Sequence, residues 1–229
     1  MSLPALAAHP ASPAAQDAAR AHRAPLGVVG ELQERIHALQ GTRGQGASWP
    51  VLPALRPLLP RGLRAGAVYS LDAPLSVAMA LLAGPSADGQ WCAVAGLPAF
   101  GTEAAAALGV GLERLVLVPD LGEHWFPAVA ALVDVIPLVL APAPPRLAPS
   151  EAARLGSRLR ERSATLLVLG PWPQCEARLQ ARGARWDGLG AGHGHLRRHR
   201  IELELLQHGR VRTSALELGA QAPALGRPA

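Results

Sequence analysis

Residues 115–140 read LVLVPDLGEHWFPAVAALVDVIPLVL, in which two short apolar runs enclose a segment of helical period. The runs Leu115–Val118 and Ile136–Leu140 are apolar throughout, which is typical of strands buried on both faces of a parallel sheet. Between them the apolar side chains recur at helical spacing: Trp125, Phe126, Val129, Leu132 and Val133. A strand, a helix and a second strand in this order predict one unit of a parallel sheet covered by helices.

The same alternation continues on both sides of this unit. Three further apolar runs predict strands at Ala67–Leu71, Trp91–Ala95 and Thr165–Leu169. Three helical patterns lie between these runs. The first has Leu75, Met79 and Leu82 on a single face, and the second extends from Thr102 as N-cap to Leu108. The third is capped at Pro149–Glu151 and carries the apolar stripe Ala152, Leu155 and Leu159. The predicted fold class is α/β, with a doubly wound, mostly parallel sheet and helices on both faces.

The last part of the chain has a different period. Residues Arg200–Leu206 and the run from Arg210 onward alternate between apolar and polar on either side of Gln207–Gly209. This pattern predicts a C-terminal antiparallel hairpin at the edge of the sheet.

The composition divides the chain into four segments. Residues 1–25 are rich in Ala and Pro and predict a disordered leader; residues 26–48 predict an amphipathic helix and linker, 49–219 the core domain and 220–229 a flexible tail. The first helix carries an apolar stripe that we predict to bind a partner, with packing on the chain's own core as the alternative: Val29, Leu32, Ile36 and Leu39.

Lysine is absent from the chain, because all 22 basic residues are Arg, against 17 acidic residues. This absence excludes sites that need an ammonium group, such as Schiff-base enzymes and the standard phosphate-binding loop of nucleotide hydrolases. The sequence also has no Asn, a bias expected of a GC-rich genome. The pI near 10.8 is therefore not by itself a sign of nucleic-acid binding.

The two cysteines, Cys92 and Cys175, are too few for a disulfide framework or a four-thiolate zinc site, and their apolar surroundings predict core packing. The N-terminus lacks the basic and apolar regions of a secretory signal. The longest uncharged stretches fall short of the roughly 20 apolar residues of a membrane span. We therefore expect a cytoplasmic protein with no membrane contact.

Ligands of an open parallel sheet bind beyond the carboxyl ends of its strands, where this sequence offers little chemistry. The segment Asp72–Met79 after the first strand has no glycine to wrap a phosphate and no Lys to pair with it. The ends of the later strands supply one charged residue, Asp120. The sequence predicts no catalytic, cofactor-binding or metal site there.

Several segments resemble RecA recombinases in sequence and order. Pro119-Asp120-Leu121-Gly122-Glu123, after the third strand, is similar to a Pro-Asp-x-Gly-Glu run of RecA, and the elements that match around it are Leu59–Gly62, Cys92–Val94 and Thr165–Leu169. The resemblance extends from about Leu52 to Leu218.

The parts of RecA that hydrolyse nucleotide have no counterpart here. Ser76-Val77-Ala78 stands in place of the Gly-Lys-Thr of the phosphate loop, Pro98 in place of the water-activating glutamate, and Leu140 in place of the metal-orienting aspartate. Because the lysine and magnesium stabilise the transition state in such enzymes, the resemblance implies a degenerate P-loop and no ATP hydrolysis.

A RecA-like core without nucleotide machinery, preceded by an amphipathic helix, resembles the ImuA-type accessory proteins of actinobacteria. The resemblance implies a non-catalytic adaptor in damage-induced translesion synthesis and mutagenesis, associated with the nucleoid during DNA damage. Such an adaptor bridges ImuB, an inactive Y-family polymerase homologue, to an error-prone replicative-type DNA polymerase. The alternatives are a single-stranded DNA-binding accessory protein, a divergent nucleotide-binding ATPase and a cell-division inhibitor of the SulA type.

The densest basic run, His193–Arg200, follows the glycine-rich Gly188–Gly192, near the place where RecA carries a DNA-contacting loop. Its arginines could engage phosphates while a tryptophan stacks on a base; a solvated edge with the tryptophan as a loop anchor is the alternative. The predicted DNA-binding residues are Trp186, Arg197, Arg198 and Arg200. The histidines of this run have metal-ligand spacing but no supporting ligands, and we predict no metal site: His193, His195 and His199.

Three groups of side chains have predicted structural roles. Asp120 and Glu123 are expected to cap the helix that begins near Gly122, and Trp125 and Phe126 to pack under it. A solvated helix face is predicted from Arg154, Arg158, Arg160 and Arg162.

Overall fold

The structure, a computed structural model, describes residues 47–189 and 194–219. At residues 188–189 and 194–197 it describes the backbone alone. By its internal contacts the chain divides into two units, Met1–Thr42 and Arg43–Ala229. All the described residues belong to the second unit.

The described residues form ten strands and four α-helices. The strands are β1 (Ser48–Trp49), β2 (Leu63–Arg64), β3 (Val68–Asp72), β4 (Cys92–Ala95), β5 (Leu115–Val118), β6 (Leu138–Pro142), β7 (Thr165–Leu169), β8 (Ala177–Leu189), β9 (Gly194–Gln207) and β10 (Arg210–Gly219). The helices are α1 (Leu75–Ala87), α2 (Thr102–Ala107), α3 (Trp125–Val135) and α4 (Pro149–Arg162), with short 3-10 turns at Pro53–Leu55 and Leu112–Arg114.

Eight strands make one mixed sheet in the order β10-β9-β8-β3-β7-β6-β4-β5. Strands β3 to β8 are parallel to their neighbours within this set, while β9 is antiparallel to both β8 and β10. The predicted α/β class, the mostly parallel sheet and the C-terminal hairpin are confirmed. Strands β1 and β2 form a separate antiparallel pair.

The sequence pattern does not predict β8, which inserts between β3 and the hairpin. Its register against β9 shifts between Ala181 and Gly183 and again between Asp187 and Leu189. The first shift places one extra residue on β8 and moves the side chains after it to the other face, so β8 lacks the strict alternation by which a strand is found in a sequence. Trp186 lies within β8, so the alternative that it anchors a loop does not hold, and its DNA contact stays a prediction.

Helices cover both faces of the sheet. On one face, Met79 and Leu82 of α1 belong to a core cluster that also contains Leu167 of β7 and Leu203 of β9. On the other face, α3 and α4 contribute the buried residues Val129, Val133, Leu155 and Leu159. The strands between the helices are apolar on both faces for this reason.

Helix α1 contains the predicted face of Leu75, Met79 and Leu82, and its burial extends well beyond that face. Ten consecutive residues from Val77 to Ser86 are buried. The sheet covers one side, and the chain around Pro50 covers the other, where a Cβ at Gly84 would lie 2.4 Å from the Pro50 carbonyl oxygen. This covering segment is held in place by Trp49 Nε1, which donates to Thr165 Oγ1 at 2.9 Å.

Two predicted helix caps are wrong. Gly101 is the N-cap of α2, and Thr102 is its first helical residue. Helix α3 starts later than predicted, with His124 as an N-cap that makes no side-chain hydrogen bond, because Gly122 has φ of +50° and cannot begin a helix. Asp120 Oδ1 instead accepts from Gly122 N at 2.8 Å and closes the preceding turn, so neither it nor Glu123 caps α3.

Both cysteines are free and pack as predicted. Cys92 is buried, which raises the pKa of its thiol to about 12, and Cys175 is half-buried against the second core cluster. The predicted arginine face of α4 is partly paired, because Arg158 and Arg162 both contact Asp134 of α3, at 2.9 and 3.3 Å. None of the helices in the described part of the chain is long and apolar enough to cross a membrane.

Candidate functional site

The carboxyl edge of the parallel strands, where this fold class binds ligands, is filled by apolar side chains beyond β4 and β6. Leu121 and Pro142 lie 3.1 and 3.2 Å from the position that a Cβ would take at Gly96. Trp125 is buried beside them, donates from Nε1 to Pro142 O at 2.9 Å and lies 6.0 Å from the ring centroid of Trp172. This part of the edge continues the core, as predicted for Trp125.

The connection from β3 to α1 consists of two residues, Ala73 and Pro74. Asp72 is exposed at the end of β3, and the buried Ser76 Oγ in the first turn of α1 has no hydrogen-bond partner among the described residues. Pro98 follows β4, and Leu140 is buried inside β6, two residues before its end. Neither position can supply a carboxylate.

Trp186 and His199 form a stacked pair on β8 and β9. Their rings are 3.8 Å apart and within 5° of parallel, and the two residues are direct partners in the strand register. The indole is 53% exposed while the imidazole beneath it is only 6% exposed. Burial lowers the pKa of His199, which therefore stays neutral to lower pH than a free histidine.

Replacing His199 by Phe is expected to reduce the pH dependence of stability between about pH 7.5 and 5.5. Because burial holds the native pKa of His199 below its ordinary 6.5, the unfolded chain binds the proton first as the pH falls. The contribution of neutral His199 to the free energy of unfolding is fully present above pH 6.5. It is lost as the pH falls through 6.5 toward the native pKa. The urea midpoints of the wild type and the variant at the two pH values measure this pH dependence. An equal fall of the midpoint in both proteins between about pH 7.5 and 5.5 would contradict the prediction.

No group of three or more potential metal-ligating side chains occurs in the ranges that the structure describes. Of the histidines with metal-ligand spacing, His199 is engaged in the stack, and His193 and the side chain of His195 lie outside the described residues.

The charged face of the β8–β10 ribbon holds arginines and carboxylates in similar number. Arg200 Nη1 lies 2.8 Å from Glu217 Oε1, and Arg182 pairs with Glu204. Among the side chains that the structure describes, the five arginines are Arg178, Arg182, Arg185, Arg198 and Arg200, and the four carboxylates are Asp187, Glu202, Glu204 and Glu217. The predicted DNA contacts at Arg198 and Arg200 therefore lie on a nearly neutral face. The side chain of Arg197 is outside the described residues, as are all four residues of the predicted partner-binding stripe.

A basic cleft lies where β9 turns into β10, at the end of the hairpin away from Arg198. Its volume is about 1030 Å³, and the charged residues that line it are Arg61, Arg64, Glu176, His208, Arg210 and Arg212. Four guanidinium groups and one carboxylate leave a formal charge of +3, in which His208 is not counted. This surplus of positive charge distinguishes the basic cleft from the ribbon face.

Glu176 is the centre of the hydrogen-bond network in the basic cleft. Its side chain is 10% exposed; Oε2 accepts from Arg64 Nη1 at 2.9 Å and Oε1 from Gln207 Nε2 at 2.8 Å. Gln207 Oε1 in turn accepts from Arg212 Nη1 at 3.0 Å. Arg64 thus balances the carboxylate, and in the described ranges neither Arg61 nor Arg210 has an ion pair.

Tyr69 of β3 lines the same cleft. Its hydroxyl accepts from Arg64 N at 2.8 Å, and burial raises the pKa of the phenol to about 12. The hydroxyl therefore keeps its proton at neutral pH and remains a donor.

Sequence reasoning misses the basic cleft because its residues come from separate segments of the chain. The turn at Gly62 and the β1–β2 pair bring Arg61 and Arg64 to this place, while the β9–β10 hairpin brings the other arginines. One local signal exists: Arg210 and Arg212 are two residues apart on a predicted strand and so share a face.

Comparison with known proteins gives a family and a fold. Residues 57–174 match the model of the family described as the MT3502 N-terminal domain. The chain is similar to the uncharacterized protein Rv3395c of Mycobacterium tuberculosis, with 34% identity over 130 residues that cover 56% of this chain and 64% of that relative. The flagellar accessory protein FlaH of Methanocaldococcus jannaschii has a similar fold, with a TM-score of 0.51 at 8% identity over 74% of this chain and 93% of FlaH.

Proposed function

The chain belongs to the MT3502 N-terminal domain family, and from this membership and the connection between β3 and α1 we propose that it is an ImuA-type, non-catalytic adaptor with a RecA-like core. In this proposal it acts in damage-induced translesion synthesis. It bridges an ImuB-type inactive Y-family polymerase and an error-prone replicative-type DNA polymerase without using nucleotide.

The length of the β3–α1 connection carries the proposal. A phosphate-binding loop places several glycine-rich residues between strand and helix, so that their amides wrap the phosphates and a lysine reaches them. Here two residues, Ala73 and Pro74, join the elements, and proline has no amide hydrogen to donate. The exposed carboxylate of Asp72 beside them would repel a phosphate. These features support a degenerate P-loop.

The absence of Lys from the whole chain supports the same reading, because the loop lysine and its magnesium stabilise the charge of a transferring phosphoryl group. The carboxyl edge beyond β4 and β6 is filled by Leu121, Trp125 and Pro142, which supports a protein that acts through its surfaces. A protein that acts through its surfaces alone is suited to hold partners together. The mycobacterial source of a similar protein is in keeping with an actinobacterial family.

The predicted docking element is the N-terminal helix with its stripe of Val29, Leu32, Ile36 and Leu39. An amphipathic helix of this kind binds by laying its apolar face into a groove of the partner. Two charges placed on the stripe would then have to be buried without a partner, which is costly.

Leu32→Asp with Ile36→Asp is expected to lower the capture of the ImuB-type polymerase by the tagged full chain at least about 10-fold, as burial of unpaired charge requires. The matched control is Glu31→Ala with Glu34→Ala, on the polar face of the same helix, which should capture the partner like the wild type. Capture is measured with and without ATP and Mg²⁺ and should be the same in both conditions.

Each part of the proposal can fail separately in this experiment. If the wild type does not capture the partner, the adaptor role is wrong. Undiminished capture by the double Asp variant removes the helix from the interface, and a requirement for ATP removes the nucleotide-independent mechanism.

A further inference from the structure

The basic cleft holds positive charge that the described residues do not balance. Glu176, the carboxylate of the cleft, is already paired with Arg64, so Arg61, Arg210 and Arg212 keep their charges. The ribbon face, by contrast, holds arginines and carboxylates in nearly equal number. Of these two surfaces, the basic cleft is the one whose charge would attract an anion.

The spacing of the arginines suits a ligand with regularly repeated anionic groups. Arg210 and Arg212 line the cleft from the same strand, two residues apart, a separation of about 6.8 Å in an antiparallel strand. Arg61 lines it from the turn before β2. A guanidinium fork binds phosphate oxygens with two parallel hydrogen bonds, so three such groups can hold successive phosphates along an extended chain.

The lining of the cleft lacks the anchors that a protein partner would need. Across the described residues, the exposed large apolar side chains are Leu112, Leu117, Trp186, Leu206 and Val211, and none of them lines the cleft. Protein interfaces depend on aromatic or aliphatic anchors buried at their centre. Binding to a phosphate backbone depends instead on the release of condensed counterions.

From this charge, spacing and lining we propose that the basic cleft binds the sugar–phosphate backbone of single-stranded nucleic acid, independently of base sequence. A recessed cleft can take up one extended strand, whereas a duplex is read by elements that project into its grooves. Among the described residues, the cleft is lined by no exposed Trp, Tyr or Phe for base stacking, and its affinity should come from phosphate contacts, which depend on salt. This inference is independent of the adaptor proposal, because it uses only residues of the cleft.

The test is fluorescence anisotropy of a labelled oligothymidylate with the full-length chain, titrated from about 50 to 200 mM salt. The variant Arg61→Ala/Arg210→Ala/Arg212→Ala leaves Arg64 in place, so that Glu176 stays paired. Its slope of log affinity against log salt should be smaller by about 2, since each lost single-strand phosphate contact removes about 0.7. At the lowest salt its affinity should be at least about 10-fold weaker.

The charge-matched control is Arg56→Ala/Arg146→Ala/Arg154→Ala. These three arginines are exposed, lie outside the cleft and have no ion pair in the part of the chain that the structure describes. The control loses the same total charge, so an unchanged slope in it assigns the effect to the cleft. Thermal unfolding of both variants checks that each is folded.

Several results would overturn the proposal. They are a wild type that does not bind the oligonucleotide, an equal loss in the control variant, and equally tight binding of a duplex. Displacement of the oligonucleotide by polyglutamate as readily as by unlabelled oligothymidylate would assign the cleft to an acidic protein. Oligouridylate should bind with the same salt slope as oligothymidylate, because the phosphates are common to both; a response to DNA alone would contradict backbone recognition.

Discussion

Replacing Gly62 by Ala is expected to lower the free energy of unfolding by about 2–5 kcal/mol, as the sum of a backbone clash and a left-handed conformation. Gly62 has φ of +75°, and a Cβ there would lie 2.0 Å from the carbonyl oxygen of Trp49. This oxygen belongs to the backbone of β1, which is paired with β2, so it cannot turn away as a side chain would. The turn would have to open, and Arg61 and Arg64 would move with it.

Gly209→Ala is the matched control for this substitution. Gly209 has nearly the same φ, +73°, but nothing lies within 4 Å of the position of its Cβ. Gly209→Ala should lower the free energy of unfolding only by the cost of the left-handed conformation, about 1–2 kcal/mol. Urea unfolding of the two variants measures the difference, which reports the contact with Trp49; equal losses would mean that the turn at Gly62 relaxes freely.

Trp125→Ala is expected to lower the free energy of unfolding by about 3–5 kcal/mol, the range found for large aromatic residues removed from a core. Trp125 is buried, packs against Phe126 and Trp172 and donates a hydrogen bond to Pro142 O. Its removal leaves a cavity beside β6 and an unpaired carbonyl at the carboxyl edge of the sheet.

Trp186→Ala provides the comparison, because this indole is half-exposed and has one aromatic partner, His199. The loss of the stack should cost about 0.5–1.5 kcal/mol. Thermal or urea unfolding of both variants tests the contrast. Similar losses at the two positions would mean that Trp186 covers more of the core than its exposure implies.

The strands of the parallel sheet can be predicted from the sequence because each is a local signal. Runs such as Trp91–Ala95 and Thr165–Leu169 are apolar on both faces because helices cover both sides of the sheet, and the structure places β4 and β7 at these residues. The hairpin is equally local, since the period of two and the glycine at its turn lie within one short segment. Strand β8 is not predicted in this way because the register shift between Ala181 and Gly183 breaks its alternation.

The same distinction between local and long-range signals applies to the candidate sites. The prediction of a degenerate P-loop rests on Asp72–Met79 and on the missing lysine, because such a loop is a contiguous motif. The basic run at Arg198 and Arg200 is contiguous too, yet the carboxylates that offset it come from elsewhere in the strand register, where Arg200 meets Glu217. The charge of a surface depends on the neighbouring strands as well as on its own segment.

The sequence by itself determined the α/β class and the C-terminal hairpin, since each depends on the order of side chains within a few consecutive residues. The tertiary structure decided that α1 is buried on every side, that Trp186 covers His199, and that Arg61, Arg64, Arg210 and Arg212 share one cleft. These features join segments that are far apart in the chain. They exist only once the turn at Gly62, the pairing of β1 with β2 and the insertion of β8 have brought those segments together.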